Sequence, residues 1–241
     1  TTKLDNSFIA YPNPPAKSSD LSGFSAAIHT PTNCLYIYSQ QRQLMQFNLL
    51  SATCRLYSKS PTDIGHSAAA LCIGDELHLF GGYNNTKHVV CNLHNISTTA
   101  CVEFTEVHQF EEYSRYITGG KAVYLSSQNK VLFMGGFDGT KWNDCVYCLA
   151  VRTRQWTRLD IKLPEPLSDF GLVLDENERY LVIVGGLLPQ GNSEDIYVLD
   201  VEQMVFSKSR VIAPHSGECH AVLLGDVDKM ELLLWGYIRG C

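Results

Sequence analysis

A chain of 241 residues that is 45% hydrophobic and 18% charged has the composition of a globular domain, which excludes a charge-rich disordered segment. Its formal charge of −6 argues against nucleic acid or an anionic membrane as its main partner, because both reward a basic surface. No apolar run approaches the roughly 18 residues that a membrane-spanning helix needs.

The chain opens on TTKLDNSFIA, with neither an initiator Met nor a basic-then-apolar leader, and reads as a piece of a longer protein. Nine cysteines, an odd number, are scattered from Cys34 to Cys241, most of them inside apolar runs. Cysteines placed this way behave as small buried hydrophobes and point to a reducing, cytoplasmic setting. Two sequons, at Asn84 and Asn95, would carry glycan only in a secreted chain.

In chain order, the first unit has SAAI after Phe24 and LYIY before Ser39-Gln40, then Phe47 and Leu49, then Leu56. The second has SAAAL after His66 and LHLF before Gly81-Gly82, then Cys91 and Leu93, then Ala100. The third has KAVYL after Gly120 and VLFM before Gly135-Gly136, then Tyr147 and Leu149, then Trp156. The fourth has GLVL after Phe170 and YLVIV before Gly185-Gly186, then Tyr197 and Leu199, then Phe206. A fifth begins at His220 with AVLL and reaches LLL before Trp235-Gly236. The step from the leading residue to the pair is fifteen residues in all five units, while the spacing between pairs varies.

Four short runs per unit, alternating in character and separated by turn residues, predict four antiparallel strands. No 3.6-residue period is long enough to predict a helix. A unit of about 50 residues cannot bury both faces of its own sheet, but radially stacked units bury one another. The glycine pair supplies positive φ and close backbone approach where the second strand ends. Trp156 and Phe206 are expected to pack against the adjacent sheet.

VLFMGGFDGTKWNDCVYCLAVRTRQWTRL resembles a kelch repeat through Gly135-Gly136, Asp138-Gly139, Asn143-Asp144, Tyr147 and Trp156. The following unit keeps Gly185-Gly186, Asp195, Tyr197 and Asp200, with Phe206 in the Trp position; the second keeps Gly81-Gly82 but has Cys91 for the Tyr and Ala100 for the Trp. The resemblance implies an all-β, kelch-type β-propeller occupying residues 1–241 as one domain. Five four-stranded blades are expected, with six as the alternative. The last blade is either incomplete or closed by the N-terminal strand, since SFIAYPNPPAKSSDLSGFSAAI compares with QWTRLDIKLPEPLSDFGLVL and puts Phe8 near a fourth-strand position.

The leading positions of the units place His66 and His220 at the starts of innermost strands, facing the central channel. Two imidazoles fall short of the three or four ligands of a metal site, and the other leading positions are Phe24, Gly120 and Phe170. No metal and no cofactor are expected. Cys145 and Cys148 spell C-x-x-C, but on a strand positions i and i+3 face opposite ways, so two independent thiols are predicted. Asp138 and Asp195 follow the repeat and are expected to cap turns. No nucleophile elbow, phosphate loop or paired-His motif is present, so a non-catalytic protein is expected.

The longest link, residues 102–120, mixes Phe104, Phe110, Tyr113, Arg115 and Tyr116 with glutamates. Links of this length are often functional, but packing of the insertion on its own blade is the first reading and a binding loop the second. Aromatic residues and Arg dominate binding hot spots. In resembling propellers the loops after the glycine pairs grip a short segment of a partner. The partner-binding candidates are therefore Tyr83, Asn84, Arg115, Tyr116, Phe137 and Trp142. The implied function is protein–protein interaction through rim loops, as substrate adaptor or scaffold, with no nucleic-acid or membrane partner. The alternative is a sugar-modifying or metal-dependent kelch enzyme with its site at the channel mouth.

Overall fold

A computed structural model of the chain describes residues 24–57, 60, 65–96, 102–111 and 113–213, together with the strand backbones of 218–224 and 231–237. Blade I consists of β1 (Ser25–His29), β2 (Cys34–Tyr38), β3 (Leu44–Asn48) and β4 (Thr53–Leu56). Blade II follows with β5 (Ala69–Ile73), β6 (Glu76–Phe80), β7 (Lys87–Asn92) and β8 (Thr105–Gln109). Blade III is β9 (Lys121–Leu125), β10 (Lys130–Met134), β11 (Cys145–Ala150) and β12 (Gln155–Lys162). In blade IV, β13 (Gly171–Leu174) and β14 (Tyr180–Val184) lead into a small ribbon, β15 (Leu187–Leu188) with β16 (Gly191–Asn192); β17 (Ile196–Asp200) and β18 (Val205–Lys208) complete the sheet. A hairpin of β19 (Glu218–Leu224) and β20 (Glu231–Tyr237) comes next.

Every blade pairs its strands antiparallel in sequence order. The first strands β1, β5, β9, β13 and β19 pack side by side in chain order, which is the radial arrangement of a propeller. Alternation puts successive side chains on opposite faces, so each sheet contributes to two layers of core. In blade III, Phe133, Tyr147 and Leu149 pack with Phe80 and Phe110 of the blade II side. Leu132, Met134 and Val146 pack instead with Leu181, Ile183 and Leu199 of blade IV.

The register explains the repeat and corrects part of it. The residue before each pair position faces the inner strand as Tyr38↔Ser25, Met134↔Lys121, Val184↔Gly171 and Leu234↔Ala221, always at the same sequence distance. In blade II the partner of Phe80 is Ala69, two residues closer. Its first hairpin turns through residues 74–75 alone, with Gly74 at φ +55, whereas blade III uses residues 126–129. Ala68, not His66, is therefore the counterpart of Gly120 and Phe170.

The same slippage affects the third strand. Tyr147 and Tyr197 stand opposite Phe133 and Ile183, and their counterparts are Met45 opposite Ile37 and Val89 opposite Leu79. Phe47 and Cys91 lie one row further along, because the loops after the pair are shorter in blades I and II. The fourth strand of blade II is β8, inside the link expected at residues 102–120; Ala100 lies outside the described residues, as does Phe8.

Candidate functional site

The glycine pairs build one rim of the propeller. Each pair lies between the connector entering its own blade and the connector entering the next. Gly82 N–H donates to Ile117 O at 2.7 Å, and Gly136 N–H donates to Leu167 O at 2.7 Å. The following residues bond to their own connectors: Tyr83 N–H to His66 O at 2.7 Å, and Phe137 N–H to Thr118 O at 2.8 Å. Gly135 and Gly136 have φ of +67 and +97, and a Cβ on Gly135 would lie 2.6 Å from Leu167 O. Gly185 and Gly186 repeat the pattern at +59 and +107, and Gly81 and Gly82 at +70 and +105.

This clasp lines up aromatic rings drawn from two blades and the connector between them. The His66 ring stacks on Tyr83 at 5.2 Å and 22°. Tyr83 meets Tyr116 at 5.0 Å, Tyr116 meets Phe137 at 6.5 Å, and Phe137 meets Trp142 at 4.5 Å. Tyr83 is 44% exposed; Tyr116, Phe137 and Trp142 are half-buried. Asn84, in the left-handed region at φ +59, and Arg115 are exposed beside Tyr83 and Tyr116 in the chain. The spacing assigns His66 to the channel, whereas the structure makes it the first ring of this row. The fifteen-residue step hides this, and the local cue is the short Gly74-Asp75 turn that shifts the blade II register.

Asp138 fixes the loop that carries Phe137 and Trp142. Its carboxylate accepts hydrogen bonds from Thr140 N–H (2.9 Å), Thr140 Oγ1 (2.7 Å) and Lys141 N–H (2.9 Å) on one oxygen. Ser114 Oγ donates to the other at 3.3 Å, reaching across from the blade II–III connector. Burial alone would raise the Asp138 pKa, but these donors outweigh it and hold the group down at about 2. Asp195 accepts from Lys208 Nζ at 2.5 Å and from Tyr197 OH at 3.0 Å, and the ammonium holds it below the usual carboxylate range. Both acids serve the architecture around them.

The link at residues 102–120 divides between core and rim. Phe110 and Tyr113 are buried, and Tyr113 OH donates to Gly135 O at 2.6 Å. Phe104 packs edge-on against Tyr38 of blade I at 5.6 Å. Arg115 and Tyr116 remain for the rim. Trp156 packs on blade II, with its ring 5.8 Å from Phe80 and 5.0 Å from Phe110, and Phe206 packs into the blade III–IV layer. Cys145 and Cys148 enter different core layers, on opposite faces of blade III. Among the described residues, no group of three or more His, Cys, Asp or Glu could hold a metal ion; the His220 side chain lies outside them. No helix among them is long and apolar enough to cross a membrane.

A family model, the KLHDC2/KLHL20/DRC7 Kelch-repeats domain, matches residues 65–233, from the connector into blade II as far as β20. No curated protein matches the chain.

Proposed function

Because the chain belongs to the kelch-repeat family, whose propellers generally mediate protein–protein interaction, we propose that it holds a protein or peptide partner on the aromatic rim of blades II and III, without catalysis. The observation that carries this reading is the continuous row Tyr83–Tyr116–Phe137–Trp142, assembled from three separate chain segments and left partly open to solvent. Aromatic rings give large contact area at small entropic cost, and Arg115 beside them adds a planar multivalent donor. The role proposed is that of an adaptor or scaffold in the cytoplasm. The six described cysteines, all free thiols, support a reducing setting, and the net charge of −6 favours a protein over a polyanion as partner.

The test is affinity capture of partners by the intact protein and by a Tyr83→Ala/Arg115→Ala/Trp142→Ala variant shown to unfold at an unchanged denaturant midpoint. A Leu50→Ala variant, altered at the β3–β4 turn, serves as control. Loss of partner recovery by the triple variant alone is expected. Equal recovery from all three proteins would remove this rim as the binding surface.

A further inference from the structure

Blade III reaches into blade II through a chain of polar side chains that the binding rim does not use. Trp156 Nε1–H, on β12, lies 3.2 Å from His88 Nδ1 on β7. His88 Nε2 is 3.0 Å from His78 Nδ1 on β6. His78 Nε2 points to Glu76 Oε2 at 3.5 Å, a long electrostatic contact, and Glu76 Oε1 accepts from Arg154 at 2.6 Å. Arg154 and Trp156 belong to the same hairpin of blade III, so the chain leaves that blade and returns to it. His88 and His78 are 0% and 2% exposed. Phe80 stacks on His88 at 4.5 Å and 19°, and the His108 ring lies along Trp156 at 5.9 Å.

The direction of every link follows from its first member. An indole N–H can only donate, so His88 Nδ1 accepts and carries no proton. Neutral His88 is then protonated at Nε2 and donates to His78 Nδ1, which leaves the His78 proton on Nε2, facing Glu76. His88 thus uses both its lone pair and its proton, whereas His78 accepts at Nδ1 and turns its Nε2–H toward Glu76 without a close hydrogen bond.

We propose that this chain is a proton-sensitive lock on the seam between blades II and III, closed while each histidine carries one proton at Nε2 and opened by a second proton on either ring. A second proton on His88 would meet the Trp156 N–H, and one on His78 would meet the His88 N–H, donor against donor in a site without water access. The titratable and charged groups facing the pair are Glu76 from β6, His108 from β8 and Arg154 from the β11–β12 turn, while Tyr147 from β11 lies against the Trp156 ring. Only Glu76 favours a charged histidine, and it lies at the far end of the chain. Burial pushes His78 down to about 4 and His88 to about 2, with Arg154 acting in the same sense. Unfolded histidines titrate near ~6.5, so the stabilisation is complete above that pH. It is lost as pH falls from ~6.5 toward 4, where the unfolded chain takes up protons that the folded seam refuses.

The test is side-chain ¹⁵N NMR of the histidines in the whole protein, with titration from pH 7.5 to 5. The expected result is that His78 and His88 both show the neutral, Nε2-protonated form and hold it at pH 5. A Nδ1-protonated or doubly protonated ring at either position at pH 7.5 overturns the proposal. Trp156→Phe keeps the ring bulk and frees His88 Nδ1, so His88 should then protonate at higher pH; an unchanged titration also overturns it. In denaturant unfolding, the wild type should lose roughly tenfold in folding constant per histidine for each pH unit below ~6.5. A His78→Leu/His88→Phe variant that keeps the full loss would place the effect elsewhere and overturn the lock.

Discussion

Phe104 meets the ring of Tyr38 edge-on at 5.6 Å, as Trp156 meets Phe80 at 5.8 Å. Tyr38 and Phe80 each end the second strand of their blade, immediately before the pair position. Phe104 therefore does for blade II what Trp156 does for blade III: it fixes an outer segment to the preceding sheet. Both contacts lie in inter-blade layers, where a lost aromatic leaves a cavity that rigid sheets cannot close.

Phe104→Ala is accordingly expected to cost about 2–4 kcal/mol, and Trp156→Ala about 3–5 kcal/mol, in denaturant unfolding. The smaller value reflects the smaller ring of Phe104 and the absence of any polar partner lost with it, where Trp156 also loses its bond to His88. A loss below about 0.5 kcal/mol at Phe104 would return that residue to the surface.

The glycines separate by environment rather than by conformation. Gly74 and Gly135 both have positive φ, but a Cβ on Gly74 would touch nothing within 4 Å, whereas on Gly135 it would strike Leu167 O at 2.6 Å. Gly74→Ala should cost roughly 1 kcal/mol, the strain of a left-handed alanine. Gly135→Ala adds a backbone clash in the connector and should cost about 3 kcal/mol or more. Thermal unfolding of the two variants checks the ranking; equal midpoints would contradict the clasp geometry.

The glycine pairs were legible in the sequence because their cause is local: one backbone conformation and one close approach per blade. The register of blades I and II was not. Turn length decides it, and a turn of two residues in place of four shifts the pairing by two while leaving the alternation of faces intact. The shorter loops after the pair shift Phe47 and Cys91 by two as well. An even shift keeps the hydrophobic pattern, so these residues and His66 looked equivalent to residues they do not match. Phe104 escaped for a related reason, since the chain between β7 and β8 is longer than between β11 and β12. The rim residues were legible as aromatics on loops. Their assembly into one row depends on the bonds from Tyr83 to His66 and from Phe137 to Thr118, which join segments far apart in sequence.

Blades III and IV are also tied at the opposite end, away from the glycine pairs. Glu178, at φ +55 in the β13–β14 turn, accepts from Ser126 N–H (2.8 Å), Ser126 Oγ (2.5 Å), Ser127 N–H (3.0 Å) and Ser127 Oγ (2.5 Å) in the β9–β10 turn. Burial opposes its charge, but the four donors together outweigh it and hold the carboxyl at about 2. Glu178→Ala keeps the strained backbone and loses all four bonds, and should cost about 1–3 kcal/mol. Glu178→Gly relieves the backbone and should lose less. Hydrogen exchange at the Ser126 and Ser127 amides should accelerate in both variants; unchanged protection would show that the turns hold without the clasp.

Asp138 links acid sensitivity to the shape of the rim. Its folded pKa of about 2 lies below the ordinary aspartate value of 3.8, so its ionised form is the one the fold prefers. The stabilisation is therefore complete above about pH 4 and is lost as pH falls from there toward 2, to a total of roughly 2 kcal/mol. Asp138→Asn with its oxygen toward Thr140 and Lys141 keeps those bonds, but presents an N–H₂ group to the Ser114 hydroxyl and loses the charge. That variant should show a flatter stability profile between pH 4 and 2. Asp138→Ala should lose the turn outright and speed exchange at the Thr140 and Lys141 amides. Since the same turn carries Phe137 and Trp142, Asp138→Ala should also weaken partner capture at neutral pH, where Asp138→Asn retains most of it. Capture that survives Asp138→Ala undiminished, with the amides demonstrably released, would mean that the partner reads the rings without needing the loop that positions them.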